Sequence, residues 1–190
     1  MNSEYFGELS IVGMKGTEKF LSNVDWYLKQ WRKDEERETF LVDADCPRFG
    51  TGEAKGIIHE TMRGHDTYIF VDPFNYSVKY NMYGMQVPMS PDDHFQDLKR
   101  AIAAVGGKAR RVNVIMPYLY ESRQSKRIGR ESLDCASALQ ELTKMGVENI
   151  ITFDAHDPRV VNAIPLNGFE NVMPSYQFIK GILKNVKDIT

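Results

Sequence analysis

The chain carries only two cysteines, Cys46 and Cys135, among 190 residues. They stand far apart and in no metal-ligand spacing, which argues against a disulfide framework or a cysteine zinc site and fits a reducing, intracellular setting. Long apolar runs are missing too: nothing approaches the roughly 18 to 20 residues needed to cross a bilayer, and the opening MNSEYFGELSIVGMKG has no basic segment followed by a long apolar one. The reading is a soluble, cytoplasmic protein with no membrane partner. Charge of one sign is likewise absent, since 24 Lys and Arg against 26 Asp and Glu leave a formal net charge of −2. That balance removes any global electrostatic argument for nucleic acid or an anionic membrane. Internal repeats and low-complexity segments do not occur. What is present is 42% hydrophobic residues, enough for one sizeable core and hence one domain over residues 1–190.

Strand and helix periods alternate along the chain. An apolar run at 9–12, a turn bracketed by Gly13 and Gly16, and Thr17 as a cap lead into an amphipathic helix whose Phe20, Leu21, Val24, Tyr27, Leu28 and Trp31 recur at helical spacing. The glycine turn lacks the full dinucleotide or Walker pattern and reads as a plain turn. A polar helix end and loop over 32–38 precede two strands, at 39–42 and 56–59, with RFGTGE at 48–53 between them. A buried strand follows at 67–71, and then an aromatic segment, 73–89, without a clear period, which reads as a loop or a packing surface. Ser90-Pro91-Asp92-Asp93 signals a helix start, with Phe95, Leu98, Ile102 and Val105 as the buried stripe and Gly106-Gly107 as the stop. Next come a strand at 112–117, the polar and basic stretch 120–132, and a helix traced by Leu133, Ala136, Leu139, Gln140 and Thr143. A strand at 149–153 follows, and Pro174-Ser175 opens a last helix through Tyr176, Ile179, Leu183 and Val186. This alternation predicts an α/β domain, a mostly parallel sheet flanked by helices. Ligands of such sheets gather beyond the carboxyl ends of the strands, where the loops 120–132 and 154–159 fall.

Three stretches could carry chemistry. In 154-DAHD-157, Asp154 and His156 flank one residue, so an extended strand would point both at the same ligand or hydrated metal. His156 could meet Mg²⁺ weakly through water or donate to phosphate oxygens, while a hard Mg²⁺ prefers carboxylates and substrate phosphates. Equally, Asp154 caps the following turn and His156 bonds locally. In the second stretch, Arg123 offers a planar bidentate phosphate donor, Gln124 an amide able to read a base edge, and Lys126, Arg127 and Arg130 further positive charge. A solvated basic loop is the plainer alternative, and the missing interleaved aromatics argue against single-stranded nucleic acid. In the third, FGTGE, the glycines permit close backbone approach, Glu53 can accept from a ribose hydroxyl or an adenine amine, and Phe49 can stack on a base. The same residues also make a hairpin loop with one exposed acid. His59, His65 and His94 lie on different elements with no ligand spacing and read as structural. No serine sits in a nucleophile elbow and no Cys/His pairing is visible.

Taken in order, FGTGE, MRGHDTYIF, PYLYESRQSKRIGRES, VENIITFDAHDPRVVNAIP and FENV resemble the amino-terminal half of ribose-phosphate diphosphokinases, which make phosphoribosyl pyrophosphate. The likeness runs from about residue 48 to 174. It implies a phosphoribosyltransferase-like domain and the transfer of pyrophosphate from Mg·ATP to ribose 5-phosphate, with release of AMP. It also implies a homo-oligomer with sites shared between subunits, in which Phe49 and Glu53 help hold adenine from a neighbouring subunit. Arg123 and Gln124 would contact ATP, Arg123 and His156 would be the catalytic residues that stabilise the phosphates, His156 would also face the metal of Mg·ATP, and Asp154 would orient the His156 loop. Lys126, Arg127 and Arg130 are further phosphate-binding candidates. The sequence departs from the family at Thr51, where an acid is usual, and at Ser125, which replaces the acid after Arg-Gln. Asp134 and Ala136 stand where a serine and a lysine usually follow the arginine matched by Arg130, Asp157 replaces an alanine, and the insert 73–89 is longer than the family pattern. These departures suggest a divergent branch with altered regulation or partner contacts.

Family members continue into a second domain with an acidic-Gly-Thr loop for ribose 5-phosphate and a basic flexible loop over the ATP phosphates. Neither motif occurs in these 190 residues, so the expectation is an amino-terminal half that is inactive alone, the ribose-phosphate domain being absent from this chain. A different class of reading is a non-catalytic relative that keeps the fold for assembly or regulation of an active subunit. Thr51 and Ser125 favour that reading, whereas Arg123, Gln124, Asp154 and His156 favour the enzyme. An unrelated α/β phosphoryl-transfer or metal-dependent enzyme would have to treat the ordered motifs as chance.

Overall fold

The computed structural model describes residues 6–32 and 37–186. Six strands form one parallel sheet, β1 (Glu8–Gly13), β2 (Leu41–Val42), β5 (His65–Phe70), β8 (Arg111–Ile115), β9 (Val147–Phe153) and β10 (Gly168–Val172), in the order β10-β9-β8-β5-β1-β2. Parallel pairing runs through every neighbouring pair, as the alternating pattern predicts. Two hairpins stand apart from the sheet: β3 (Ala44–Asp45) with β4 (Ile57–Ile58), and β6 (Lys79–Met82) with β7 (Met85–Pro88). Among the described residues there are also four helices, α1 (Glu18–Arg32), α2 (Pro91–Val105), α3 (Asp134–Lys144) and α4 (Ser175–Asn185), with a short 3-10 helix at Pro158–Ala163.

The core is a row of directly paired β-branched residues. Val12 faces Ile69, Ile69 faces Val114 and Val114 faces Ile150, and all four are fully buried. They belong to one cluster with Leu98 of α2 and with Leu139 and Leu142 of α3. Burying each such side chain contributes about 1.5–3 kcal/mol. Helix α2 forms where its sequence signals it: the Ser90 hydroxyl accepts from Asp93 N at 3.1 Å, while the Asp93 carboxylate accepts from Ser90 N at 2.9 Å. Gly106, at φ 64, ends it in the left-handed region that only glycine enters cheaply.

Several sequence expectations change. On α1 only Leu21 and Asp25 are buried, and Trp31 is 75% exposed. The helix seats Leu21, Val24 and Leu28 on a small cluster with Ile11, Phe40 and Phe70, which turns the aromatic flank outward. Asp25 is held there because its carboxylate accepts from Phe40 N at 2.7 Å and pairs with Lys29. On α3 the buried face is Cys135, Ala138, Leu139 and Leu142, a different phase from the stripe through Ala136, Gln140 and Thr143. α4 buries nothing. The aromatic segment contains the β6–β7 hairpin, and residues 168–172 add a sixth strand. The strand expected at 56–59 pairs with β3 rather than with the main sheet. Of the polar loop expected at 32–38, residues 33–36 lie outside the described part of the chain. Among the described residues no helix is long and apolar enough to cross a membrane.

β4 crosses α2 so closely that a Cβ on Gly56 would lie 2.4 Å from the Arg100 carbonyl oxygen. Gly56→Ala should therefore lower stability by about 1–3 kcal/mol, read as a lower urea midpoint at unchanged slope. Gly181, in the exposed α4, has open space around it, and Gly181→Ala should raise stability by up to about 1 kcal/mol. Equal effects of the two substitutions would contradict this packing.

Candidate functional site

The loop that follows β8 is built from its ends inward. Tyr120 lays its ring on Phe95 at 4.3 Å and donates its hydroxyl to Asp92 at 2.7 Å, tying the loop to α2. Burial and the Asp92 carboxylate push that hydroxyl well above the ordinary tyrosine range. Glu121 turns the chain at φ 57, and Gln124 N donates to its carbonyl at 2.9 Å. The Gln124 side chain then fastens the loop. Its Oε1 accepts from Asp134 N at 2.7 Å, and its Nε2 donates to Ser132 O at 2.6 Å and Lys126 O at 3.2 Å. Leu133, which precedes α3, supplies no side-chain cap, so Gln124 satisfies one of the orphan donors at that helix start. Its amide is engaged at both ends within the loop, a structural use that sequence reading missed. Arg123, Lys126, Arg127 and Arg130 are all exposed.

The loop after β9 turns at once. Asp154 has φ 48, so the strand does not stay extended and alternation does not bring Asp154 and His156 to one face, as the spacing alone suggested. Aspartate tolerates this left-handed conformation better than most residues. Asp154 N donates to Val172 O at 3.1 Å and Ala155 N to the Asn171 side chain at 2.9 Å, which fixes the turn against β10. Asp157 opens the 3-10 helix: its Oδ1 accepts from the Arg159 backbone N at 3.0 Å and Nε at 2.9 Å, and its Oδ2 accepts from Nη2 at 2.8 Å. The Arg159 guanidinium holds the Asp157 carboxyl far below the usual carboxylate range. Lys126 Nζ stands 3.9 Å from the same carboxylate.

These two loops wall one open cleft of about 940 Å³ at the carboxyl edge of the sheet, lined by Arg123, Gln124, Lys126, His156, Asp157 and Arg159 among others. Arg127, Arg130 and Asp154 are outside that lining. The arrangement offers exposed cationic and neutral donors to an anion: Arg123 and His156 are exposed and make no side-chain hydrogen bond or ion pair with a described residue, while Arg159 is partly neutralised by Asp157. Among the described residues no three His, Cys, Asp or Glu side chains converge as a metal cage.

Phe49 and Glu53 stand elsewhere, at the tip of the excursion from β3 to β4. Phe49 N donates to Glu53 O at 2.7 Å and Gly52 N to Phe49 O at 2.9 Å. Phe49 is 54% exposed, and the exposed Glu53 carboxylate accepts from the Thr51 hydroxyl at 2.9 Å. Arg48, which sequence reading passed over, anchors this loop. It donates to Asp97 at 2.8 Å and to Gly52 O at 3.3 Å, and Arg100 donates to the other Asp97 oxygen at 2.6 Å. The remaining histidines have local partners, His59 near Asp45 at 3.1 Å, His65 near Glu8 at 3.4 Å and His94 against Asn75 O at 3.0 Å.

A parallel sheet with helices packed on it and polar loops at its carboxyl edge defines the α/β class that takes ligands beyond the strand ends. Within that class, residues 9–146 match the model of the N-terminal domain of ribose phosphate pyrophosphokinase, and the chain belongs to this family. It is similar to a ribose-phosphate pyrophosphokinase of Thermosipho africanus, 30% identical over 123 residues, 64% of this chain and 35% of that protein. Ribose-phosphate pyrophosphokinase 1 of Schizosaccharomyces pombe is 29% identical over 153 residues, 77% of this chain and 32% of that protein. For ribose-phosphate pyrophosphokinase B of Dictyostelium discoideum the identity is 30% over 152 residues, 78% of this chain and 42% of that protein. The chain thus spans 32–42% of the length of these relatives. The crystal structure of phosphoribosylpyrophosphate synthetase from Mycobacterium smegmatis superposes with a TM-score of 0.73 over 94% of this chain and 52% of that one, at 16% identity, a likeness of fold.

Burial pushes the Cys135 thiol up to about 11 and the Cys46 thiol up to about 12. The expected result at pH 8 is that neither reacts appreciably with iodoacetamide in the native chain. Gln124→Ala frees the loop over the first turn of α3, so Cys135 should become labelled while Cys46 stays protected. Equal labelling of both, read by mass spectrometry, would contradict the role given to Gln124.

Proposed function

We propose that this chain is the nucleotide-binding half of a ribose-phosphate pyrophosphokinase and that the cleft between residues 122–132 and 156–159 takes the triphosphate of Mg·ATP. The observation that carries the reading is the meeting of Arg123 and His156, from loops after two different strands, at one open cleft at the carboxyl edge. Arg123 contacts phosphate oxygens through its guanidinium, a geometry suited to bidentate binding. His156 donates to the phosphates or meets the metal through water, and Asp154 sets the turn from which His156 projects. Gln124 acts by holding the loop that carries Arg123. Lys126 adds charge at the cleft wall, with Arg127 and Arg130 further out. Mg²⁺ enters with the nucleotide as part of the substrate and supplies charge neutralisation of the phosphates, in keeping with a cleft whose carboxylate Asp157 is already bound to Arg159.

In the complete enzyme the anomeric hydroxyl of ribose 5-phosphate attacks the β-phosphorus of ATP. The new bond joins that oxygen to the β-phosphorus, the bond from the α–β bridging oxygen to the β-phosphorus breaks, AMP leaves with the bond electrons, and the hydroxyl proton passes to solvent. Such a transfer depends on positioning and charge stabilisation rather than on a protein nucleophile. Ribose 5-phosphate is bound in this reading by a second domain, as the greater length of the relatives suggests. The exposed apolar side of α4, with Tyr176, Ile179 and Leu183, and the exposed Phe153 and Val172 give such a domain a surface to cover. Phe49 and Glu53, outside the cleft, serve the nucleotide of a neighbouring subunit in a cytoplasmic homo-oligomer. The 190-residue chain alone binds Mg·ATP without turnover.

Calorimetric titration with Mg·ATP tests this directly. Arg123→Ala and His156→Ala should each weaken binding by about tenfold or more, the worth of a charge-assisted hydrogen bond, whereas Trp31→Ala, on the exposed flank of α1, should leave it unchanged. Unaltered affinity in both cleft variants would overturn the assignment. Steady release of AMP dependent on ribose 5-phosphate would overturn the claim that this chain is inactive alone.

A further inference from the structure

The insert between β5 and α2 forms a hairpin that none of the proposed chemistry uses. β6 and β7 pair from Lys79↔Pro88 to Met82↔Met85. Tyr83 at φ 50 and Gly84 at φ 83 close it as a two-residue turn whose twist matches that of the strands. Its base is fixed to the start of α2: Met89 N donates to Val78 O at 2.8 Å, the buried His94 ring lies 3.0 Å from Asn75 O, and the Tyr80 hydroxyl donates to Asp93 at 3.5 Å. Its tip reaches the 48–53 loop at three points. Tyr83 N donates to Gly50 O at 2.9 Å. The Tyr80 ring lies 4.6 Å from the Arg48 guanidinium, which itself donates to Gly52 O. The Met82 sulfur packs so near Gly52 that a Cβ there would stand 3.1 Å away. A lone two-stranded hairpin is marginal in water, so loop and hairpin stabilise each other.

We propose that the β6–β7 hairpin is a clasp that fixes where Phe49 and Glu53 stand, and thereby sets recognition of the nucleobase while leaving phosphate binding alone. Tyr80 and Met82 are positioning residues in this scheme. The inference rests on the nucleotide reading of Phe49 and Glu53 given above.

The test uses the full chain with two disrupting variants and one rescue. Tyr80→Leu removes the ring over Arg48, Tyr80→Phe keeps it, and Gly84→Val meets open space but cannot hold φ 83 cheaply. Hydrogen exchange at the amides of residues 49–54 should rise about fivefold in Tyr80→Leu and Gly84→Val and stay at the native level in Tyr80→Phe, with residues 98–105 of α2 protected throughout. Affinity for Mg·ATP should fall about fivefold in the two disrupting variants while affinity for Mg·tripolyphosphate, which has no base, is unchanged. Unchanged exchange in the loop while residues 80–87 open would overturn the clasp, as would equal weakening of ATP and tripolyphosphate. The titrations are run at a concentration where the chain is assembled, and an assembled native chain that binds the two probes equally would instead sink the base-binding reading of Phe49 and Glu53, and with it the recognition role, a failure visible before any variant is made.

Discussion

Parallel pairing of β1, β5, β8 and β9 is the constraint on which the site depends. It obliges each strand to end at the same edge, so the loops after β8 and β9 meet there although they are distant in sequence. The pairing is held by the fully buried row Val12, Ile69, Val114 and Ile150, and a one-residue slip in any strand would turn that row away from the helices that cover it. The cationic cleft is therefore a consequence of apolar register, and its geometry is only as firm as the packing of α2 and α3 beneath it.

Charge serves two separate purposes in this molecule. Asp97, 5% exposed, sits between Arg48 and Arg100 and satisfies both guanidiniums. Losing Asp97 would leave the little-exposed Arg48 guanidinium without its carboxylate partner, at a cost of about 3–5 kcal/mol. At the carboxyl edge the opposite holds, for Arg123 and His156 are exposed and make no side-chain pairing with a described residue, which keeps them available to an incoming anion. Arg159 lies between these cases, since Asp157 occupies its Nε and one of its Nη2 donors and offsets its charge. Asp157 thus lowers the net positive charge that the cleft presents.

Much of this was legible in the sequence where a local signal and the tertiary outcome agree. Ser90-Pro91-Asp92-Asp93 fixes a helix start through bonds within four residues, and α2 appears where that signal stands. Apolar period alone carries less: it locates α1 and α4 but not what covers them, so Phe20, Tyr27, Trp31 and the whole apolar side of α4 are exposed in the chain as described. The β6–β7 hairpin was hidden because Tyr83-Gly84 is not a usual turn pair, and its φ values are set by pairing on either side. The loop-fastening use of Gln124 and the anchoring use of Arg48 were not legible for a related reason. Ser132 and Asp134, eight and ten residues after Gln124, come within its reach only once the loop closes on α3, and Asp97 and Tyr80 lie far along the chain from Arg48. At Asp154 the left-handed turn, set by its place between β9 and β10, removes the alternation argument that linked it to His156.

The most direct test of the central claim is the amide chemical-shift map of the isotopically labelled chain as Mg·ATP is added. The account predicts saturating shifts concentrated at residues 122–127 and 156–159, with little change at the exposed aromatic flank of α1. Saturable shifts confined to another surface, or none at concentrations that saturate the family's nucleotide sites, would contradict it.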